Sequence, residues 1–134
     1  MATIIESGNW NKMPWKPVRE GMKQVTFAMG CDDCTVTIGM LNKGHEVRPH
    51  SHPEDQITIC LEGECNYEVD GVPHHLTPGS WITVPGGVKH FIEVKDTDIP
   101  CICIDIFHQP RPDFKENYVK YLKEIGYELP EFLK

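Results

Sequence analysis

The chain has 134 residues, 40% hydrophobic and 25% charged, with a formal net charge of -7. That is enough for one independently folding core and too apolar for a disordered chain. The negative charge argues against a nucleic-acid partner, whose phosphates call for a basic surface, and no apolar run approaches the roughly 18 residues of a membrane-spanning helix.

The first eleven residues lack the basic start and apolar centre of a secretory signal, so the expected setting is the cytoplasm, with the six cysteines reduced. Residues 1–20 carry Trp10 and Trp15 beside Pro14 and Pro17. Proline restricts itself and the residue before it, so this segment reads as an extended arm rather than a helix. Two large aromatics on an arm need cover, either from the chain's own body or from a second subunit.

Short strand patterns follow at 24–29, 35–41, 56–61, 66–69, 81–84, 91–94 and 101–107, separated by Asn42-Lys43-Gly44, Glu62-Gly63, Asp70-Gly71, Pro78-Gly79 and Pro85-Gly86-Gly87. Regular short strands with such punctuation predict an all-β sandwich or small barrel. Asp70-Gly71 has the residues a two-residue hairpin turn requires, since both positions tolerate positive φ. At the end the period changes. Phe114, Tyr118, Tyr121, Leu122 and Ile125 recur at helical spacing, Asp113 and Glu116 stand in capping-box positions, and Gly126 stops the run. The expected organisation is an arm over 1–20, a barrel over 21–110 and a helical tail over 111–134 packed on the barrel.

The cysteines have two readings. Cys31 and Cys34 have the spacing of a zinc site and, with Cys101 and Cys103, would supply four thiolates. Alternatively, Cys31 and Cys34 flank an Asp-Asp turn, while Cys60, Cys101 and Cys103 are small core residues inside strands. The second is adopted.

His50 and His52 are two apart and Gln56 is four further on, so in an extended chain the three point to one face. An unpaired buried polar group costs about 1–3 kcal/mol, and one metal ion would satisfy all three. His90, at the start of a later strand, can supply a fourth ligand. Imidazoles with an amide oxygen suit several divalent transition metals, so nickel, zinc, iron and manganese all stay open. A His-x-His pair alone is common on exposed strands. The last strand alternates Ile102, Ile104 and Ile106 with Cys101, Cys103, Asp105 and Phe107. Its second face therefore carries Asp105, which is a general base in a cavity, a solvent-facing residue near a strand end or a structural acceptor.

Gly44, five residues, His50-Ser51-His52, three residues, Gln56, six residues and Gly63 resemble the first cupin motif. Gly79, five residues, Pro85-Gly86-Gly87, two residues and His90 resemble the second. The resemblance covers about residues 21–107 and implies a cupin jelly-roll β-barrel with a short C-terminal helix. It also implies a metal inside the barrel and a homodimer. Two positions depart from the pattern: Gln56 stands where the family usually has Glu, and Val94 where it usually has Asn. A neutral amide leaves the metal site more positive by one charge, which favours an anionic ligand and puts simple carry-over of iron dioxygenase chemistry in doubt.

The run from Asp105 to Phe107 and from Pro110 to Phe114 resembles small cupins of pectin and alginate breakdown, which act on unsaturated uronates. That resemblance implies metal binding by His50, His52, Gln56 and His90, with Asp105 as the catalytic residue and Phe107 and Arg111 lining the substrate pocket. The expected function is ring opening or tautomerisation of a small, anionic, unsaturated sugar acid. The rival expectations are an iron-dependent dioxygenase and a non-enzymatic sugar- or carboxylate-binding barrel. His45 is expected at a loop end, and His74 and His75 in solvent near a turn.

Overall fold

The computed structural model describes residues 4–134; residues 1–3, part of the predicted arm and of the segment read as lacking a signal, lie outside them. Strands β1 (Lys16–Arg19), β2 (Met22–Phe27), β3 (Thr35–Leu41), β4 (Asp55–Glu62), β5 (Cys65–Val69), β6 (Val72–Leu76), β7 (Trp81–Val84), β8 (His90–Val94) and β9 (Cys101–His108) precede helix α1 (Pro112–Glu124). One sheet runs β1-β2-β3-β9-β4-β7 and the other β6-β5-β8. The pairings β1–β2, β2–β3, β3–β9, β4–β9, β4–β7, β5–β6 and β5–β8 are all antiparallel. The seven predicted strands are present, two with the predicted ends and the others shifted by at most two residues.

β1 and β6 were not predicted as strands. Both contain a proline, Pro17 and Pro73, and both lie at a sheet edge. An edge is where a strand tolerates a residue without an N–H. His74 and His75 therefore lie on β6, exposed as expected, rather than beside a turn. The β5–β6 hairpin turns on Asp70 (φ 51°) and Gly71 (φ 78°), with Val69 opposite Val72.

Strand alternation divides the core in two. Odd-numbered residues of β3 and β9 face the space between the sheets, where Leu41, Cys101 and Cys103 join Cys60, Cys65, Tyr67, Leu76, Ile82, Val84 and Val94. Even-numbered residues face outward, where Ile38, Ile102 and Ile104 pack with Tyr118 and Leu122 of α1. Cys101 and Cys103 thus meet Cys60 and Cys65. Cys31 pairs with Cys34 on the loop after β2, Sγ to Sγ 3.2 Å.

The helix begins earlier than its capping-box residues suggested. Arg111 takes the cap position with no side-chain cap, Pro112 opens the first turn and Asp113 lies inside it. The Arg111 N–H donates to Thr35 Oγ1 at 2.8 Å, which fixes the entry, and the preset φ of Pro112 suits a first helical position. Gly126, at φ 74°, ends the helix as expected. Tyr118 and Tyr121 donate their hydroxyls to the carbonyls of Pro14 and Trp15 at 2.7 and 3.3 Å, and Trp10 packs on Phe27. The arm's aromatics are thereby covered by their own chain.

Gly63, at φ 73°, lets the β4–β5 turn approach β9; a Cβ there would collide with the Pro100 carbonyl and lie 2.9 Å from Cys101 Cα. Both the positive φ and the collision penalise a side chain. Gly63→Ala is expected to cost about 2 kcal/mol or more, read as a lower urea midpoint at unchanged slope.

Candidate metal centre

His50 and His52 lie on the segment leading into β4, Gln56 lies on β4, and His90 opens β8. Reciprocal backbone hydrogen bonds between His50 and His90, at 3.0 and 2.9 Å, join the two segments. The Gly87 N–H donates to the His52 carbonyl at 2.7 Å, and the Gly86 N–H to Asp55 Oδ1 at 2.8 Å. A Cβ on Gly86 would run into the Pro53 carbonyl. That close approach is the physical role of the second motif's glycine here.

The three imidazoles converge, with one nitrogen from each lying within 4.8 Å of the others. Each Nδ1 faces a backbone carbonyl: His50 to Arg48 at 2.6 Å, His52 to Glu54 at 3.0 Å and His90 to Val88 at 2.8 Å. A carbonyl only accepts, so each Nδ1 carries the proton and each Nε2 keeps its lone pair. This is the outer-shell bonding that orients metal-ligating histidines. Burial lowers the pKa of His50 and pushes His90 down to about 4, which keeps both neutral and ready to ligate. His90 Nε2 is buried without a hydrogen-bond partner.

Gln56 completes the set. Its amide nitrogen lies 2.8 Å from Thr58 Oγ1, 2.7 Å from the Tyr67 hydroxyl and 3.2 Å from Asp105 Oδ1. With the NH₂ turned that way, Oε1 faces His52 Nε2 at 3.0 Å. Two lone pairs cannot bond each other, and a cation satisfies both. On this donor set, with an orphaned buried nitrogen and an oxygen–nitrogen contact without a proton, the residues fit a divalent transition metal. His50 is exposed while His52 and His90 are buried, so the centre opens on the His50 side.

Asp105 faces the interior, opposite Thr37 on β3 and Thr58 on β4. It accepts from Thr58 Oγ1 at 2.6 Å and from Gln56. Burial pushes its carboxyl up to about 6 against the opposing effect of those hydrogen bonds. Phe107 stands opposite Gln56 and packs edge-on to His52, centroids 5.5 Å apart. The Arg111 guanidinium lies over Phe107 and Phe114, 5.2 and 4.2 Å from their centroids. Its fork is divided between acids: Nη2 is 3.2 Å from Asp113 and Nε 4.0 Å from Glu54. All seven residues singled out from the sequence thus fall in one region of the interior and its rim.

Sequence reasoning missed Glu54, Thr58 and Tyr67. Glu54 lies between His52 Nδ1, 3.5 Å away, and Arg111, and its Oε2 is buried without a hydrogen-bond partner. Thr58 and Tyr67 were legible only as inward positions by strand parity. His45, expected at a loop end, is buried: its Nε2 accepts from the Val94 N–H at 3.1 Å, a structural role.

The cupin domain family model matches residues 37–107. The chain is 34% identical over 58 residues to the dimethylsulfoniopropionate lyase DddW of Ruegeria pomeroyi, covering 43% of this chain and 38% of that protein. It thus spans about two fifths of the length of that curated relative. Among solved structures it is similar to KdgF from Halomonas sp., with 25% identity, 78% of this chain and 93% of that one covered, and a TM-score of 0.70. It is similar as well to an RmlC-like cupin from Shewanella frigidimarina, with 27% identity, coverage of 85% and 99%, and a TM-score of 0.72.

Gln56→Glu would remove the donor that serves Thr58, Tyr67 and Asp105 and set a carboxylate beside Asp105. In metal-free protein it is expected to cost about 1–3 kcal/mol, with part of the loss recovered in the double variant Gln56→Glu, Asp105→Asn. Additive losses in a double-mutant cycle followed by urea melts would contradict the amide orientation described above.

Proposed function

This chain belongs to the cupin domain family, and from that premise we propose that it promotes ring opening or tautomerisation of a small unsaturated sugar acid at a metal held by His50, His52, Gln56 and His90. The observation that carries the reading is the adjacency of a metal-fit donor set to a carboxyl whose pKa burial raises to about 6, bridged by the Gln56 amide. The metal, when bound, supplies Lewis-acid polarisation of a substrate oxygen. Nickel, zinc, iron and manganese are all compatible with the donors.

The remaining work falls to the chain. Asp105 is the group to move a proton, because a carboxyl near pH 6 both accepts and returns one readily. Arg111 is the group to bind the acid function of the substrate. Its contact to exposed Asp113 is a weak surface pair of the kind worth under about 1 kcal/mol, so a substrate carboxylate can replace it and take a charge-assisted hydrogen bond. Glu54 faces the Nε side from 4.0 Å, with no hydrogen bond between them. Phe107 offers an apolar wall between Arg111 and His52. The similarity of the Asp105 to Phe114 run to pectin-degradation cupins supports this reading, and the likeness to KdgF runs in the same direction. The reading carries with it an anionic small-molecule substrate, a homodimer and, given six free thiols, a reducing cytoplasmic setting.

A second reading has one observation in its favour, the 34% identity to a dimethylsulfoniopropionate lyase. It is lyase chemistry on a small carboxylate by the same base and metal. Parallel assays with an unsaturated uronate and with dimethylsulfoniopropionate separate the two. Oxygen uptake by iron-loaded protein would favour a dioxygenase instead, and tight carboxylate binding without any product a binding barrel.

Under the leading reading, Asp105→Asn lowers turnover by about 10²–10⁴-fold while metal content stays unchanged. Arg111→Ala acts mainly on KM, raising it about tenfold or more. Full turnover by the Asp105 variant would remove it from the mechanism. His50→Ala with His52→Ala is expected to lower metal content by about one ion per chain, measured by elemental analysis.

A further inference from the structure

Away from the histidines, the barrel interior holds a second group of metal-binding side chains. Cys60 on β4 and Cys103 on β9 are directly paired across the sheet, and Cys101 lies on the same face two residues away. The sulfurs of these three lie within 4.8 Å of one another, and Cys101 and Cys103 are 3.6 Å apart. Cys65 lies outside that 4.8 Å group but belongs to the same core cluster, facing it from β5 in the opposite sheet beyond the turn that Gly63 allows to close on Cys101. All four are at most 3% exposed. We propose that Cys60, Cys65, Cys101 and Cys103 form a second, structural metal centre, a tetrathiolate site for one zinc ion that ties the two sheets together inside the barrel.

The spacing favours this over the alternatives. A disulfide needs sulfurs about 2.05 Å apart, far closer than the 3.6 Å seen between Cys101 and Cys103. A tetrahedral zinc centre with bonds of about 2.3 Å sets its sulfurs about 3.8 Å apart. Apolar packing alone does not require thiols from three strands and two sheets to converge. Loading forms four Zn–S bonds and breaks four S–H bonds. Four protons pass to solvent, nothing is oxidised or reduced, and the centre carries a net charge of -2. It shares no ligand with the histidine centre and stands or falls separately from the proposed activity.

The test uses the full chain with His50→Ala and His52→Ala, which removes the histidine centre and leaves the cysteines intact. Grown with zinc, this variant should retain about one zinc per chain, and its X-ray absorption should report sulfur neighbours. Loaded with Co²⁺, it should show an intense thiolate-to-cobalt charge-transfer band. Adding Cys101→Ala and Cys103→Ala should abolish both the band and the bound ion. If the four-site variant fails to fold, the cysteine-intact variant still decides. A metal-free His50→Ala, His52→Ala protein that takes up neither zinc nor Co²⁺, or a bound zinc with only nitrogen and oxygen neighbours, would overturn the assignment.

Discussion

The orientation of one side-chain amide organises the interior. Gln56 turns its NH₂ toward Thr58, Tyr67 and Asp105 and its oxygen toward His52. A carboxylate in its place could not donate to those three oxygens and would face Asp105 as a like charge. The departure from the usual glutamate and the presence of an aspartate on β9 are therefore one feature. The amide lets a carboxyl stand next to the candidate metal ligands and joins the two through a single side chain.

What brings these groups together is the register of β4 on β9. Gln56 faces Phe107, Thr58 faces Asp105 and Cys60 faces Cys103. A slip of β4 by one residue would turn Gln56, Thr58 and Cys60 to the other side of the sheet, away from their partners on β9. β3 pins the same register from the other edge, pairing Thr35 with Phe107 and Thr37 with Asp105. Thr35 also accepts the Arg111 N–H, so the strand that sets Asp105 also sets the start of α1 and the place of the guanidinium. Site and tail are one construction.

The interior is graded along these strands. Its open end carries imidazoles, the middle carries the hydroxyl, amide and carboxyl groups, and the far end carries thiols among aliphatic side chains. Borderline nitrogen and oxygen donors and soft sulfur donors are thereby kept apart. The path leads from exposed His50 to fully buried Cys60 and Cys65.

The sequence alone carried the strand pattern, the turn glycines and the ligand spacing, because these depend on local φ preference and on a side-chain period of two. His50, His52, Gln56, His90, Asp105, Phe107 and Arg111 were all nameable from local pattern and resemblance. β1 and β6 were not, because an edge position excuses a proline that would deny a central strand. Nor was the start of α1, which Thr35 fixes from 76 residues away in sequence. Glu54, Tyr67 and the placing of Cys65 in one core cluster with Cys101 and Cys103 also escaped, since Arg111 and other strands supply what they meet. Period and spacing say which face a side chain takes. Only the pairing of distant strands decides what it meets there, because that contact is set by the register and closure of the barrel.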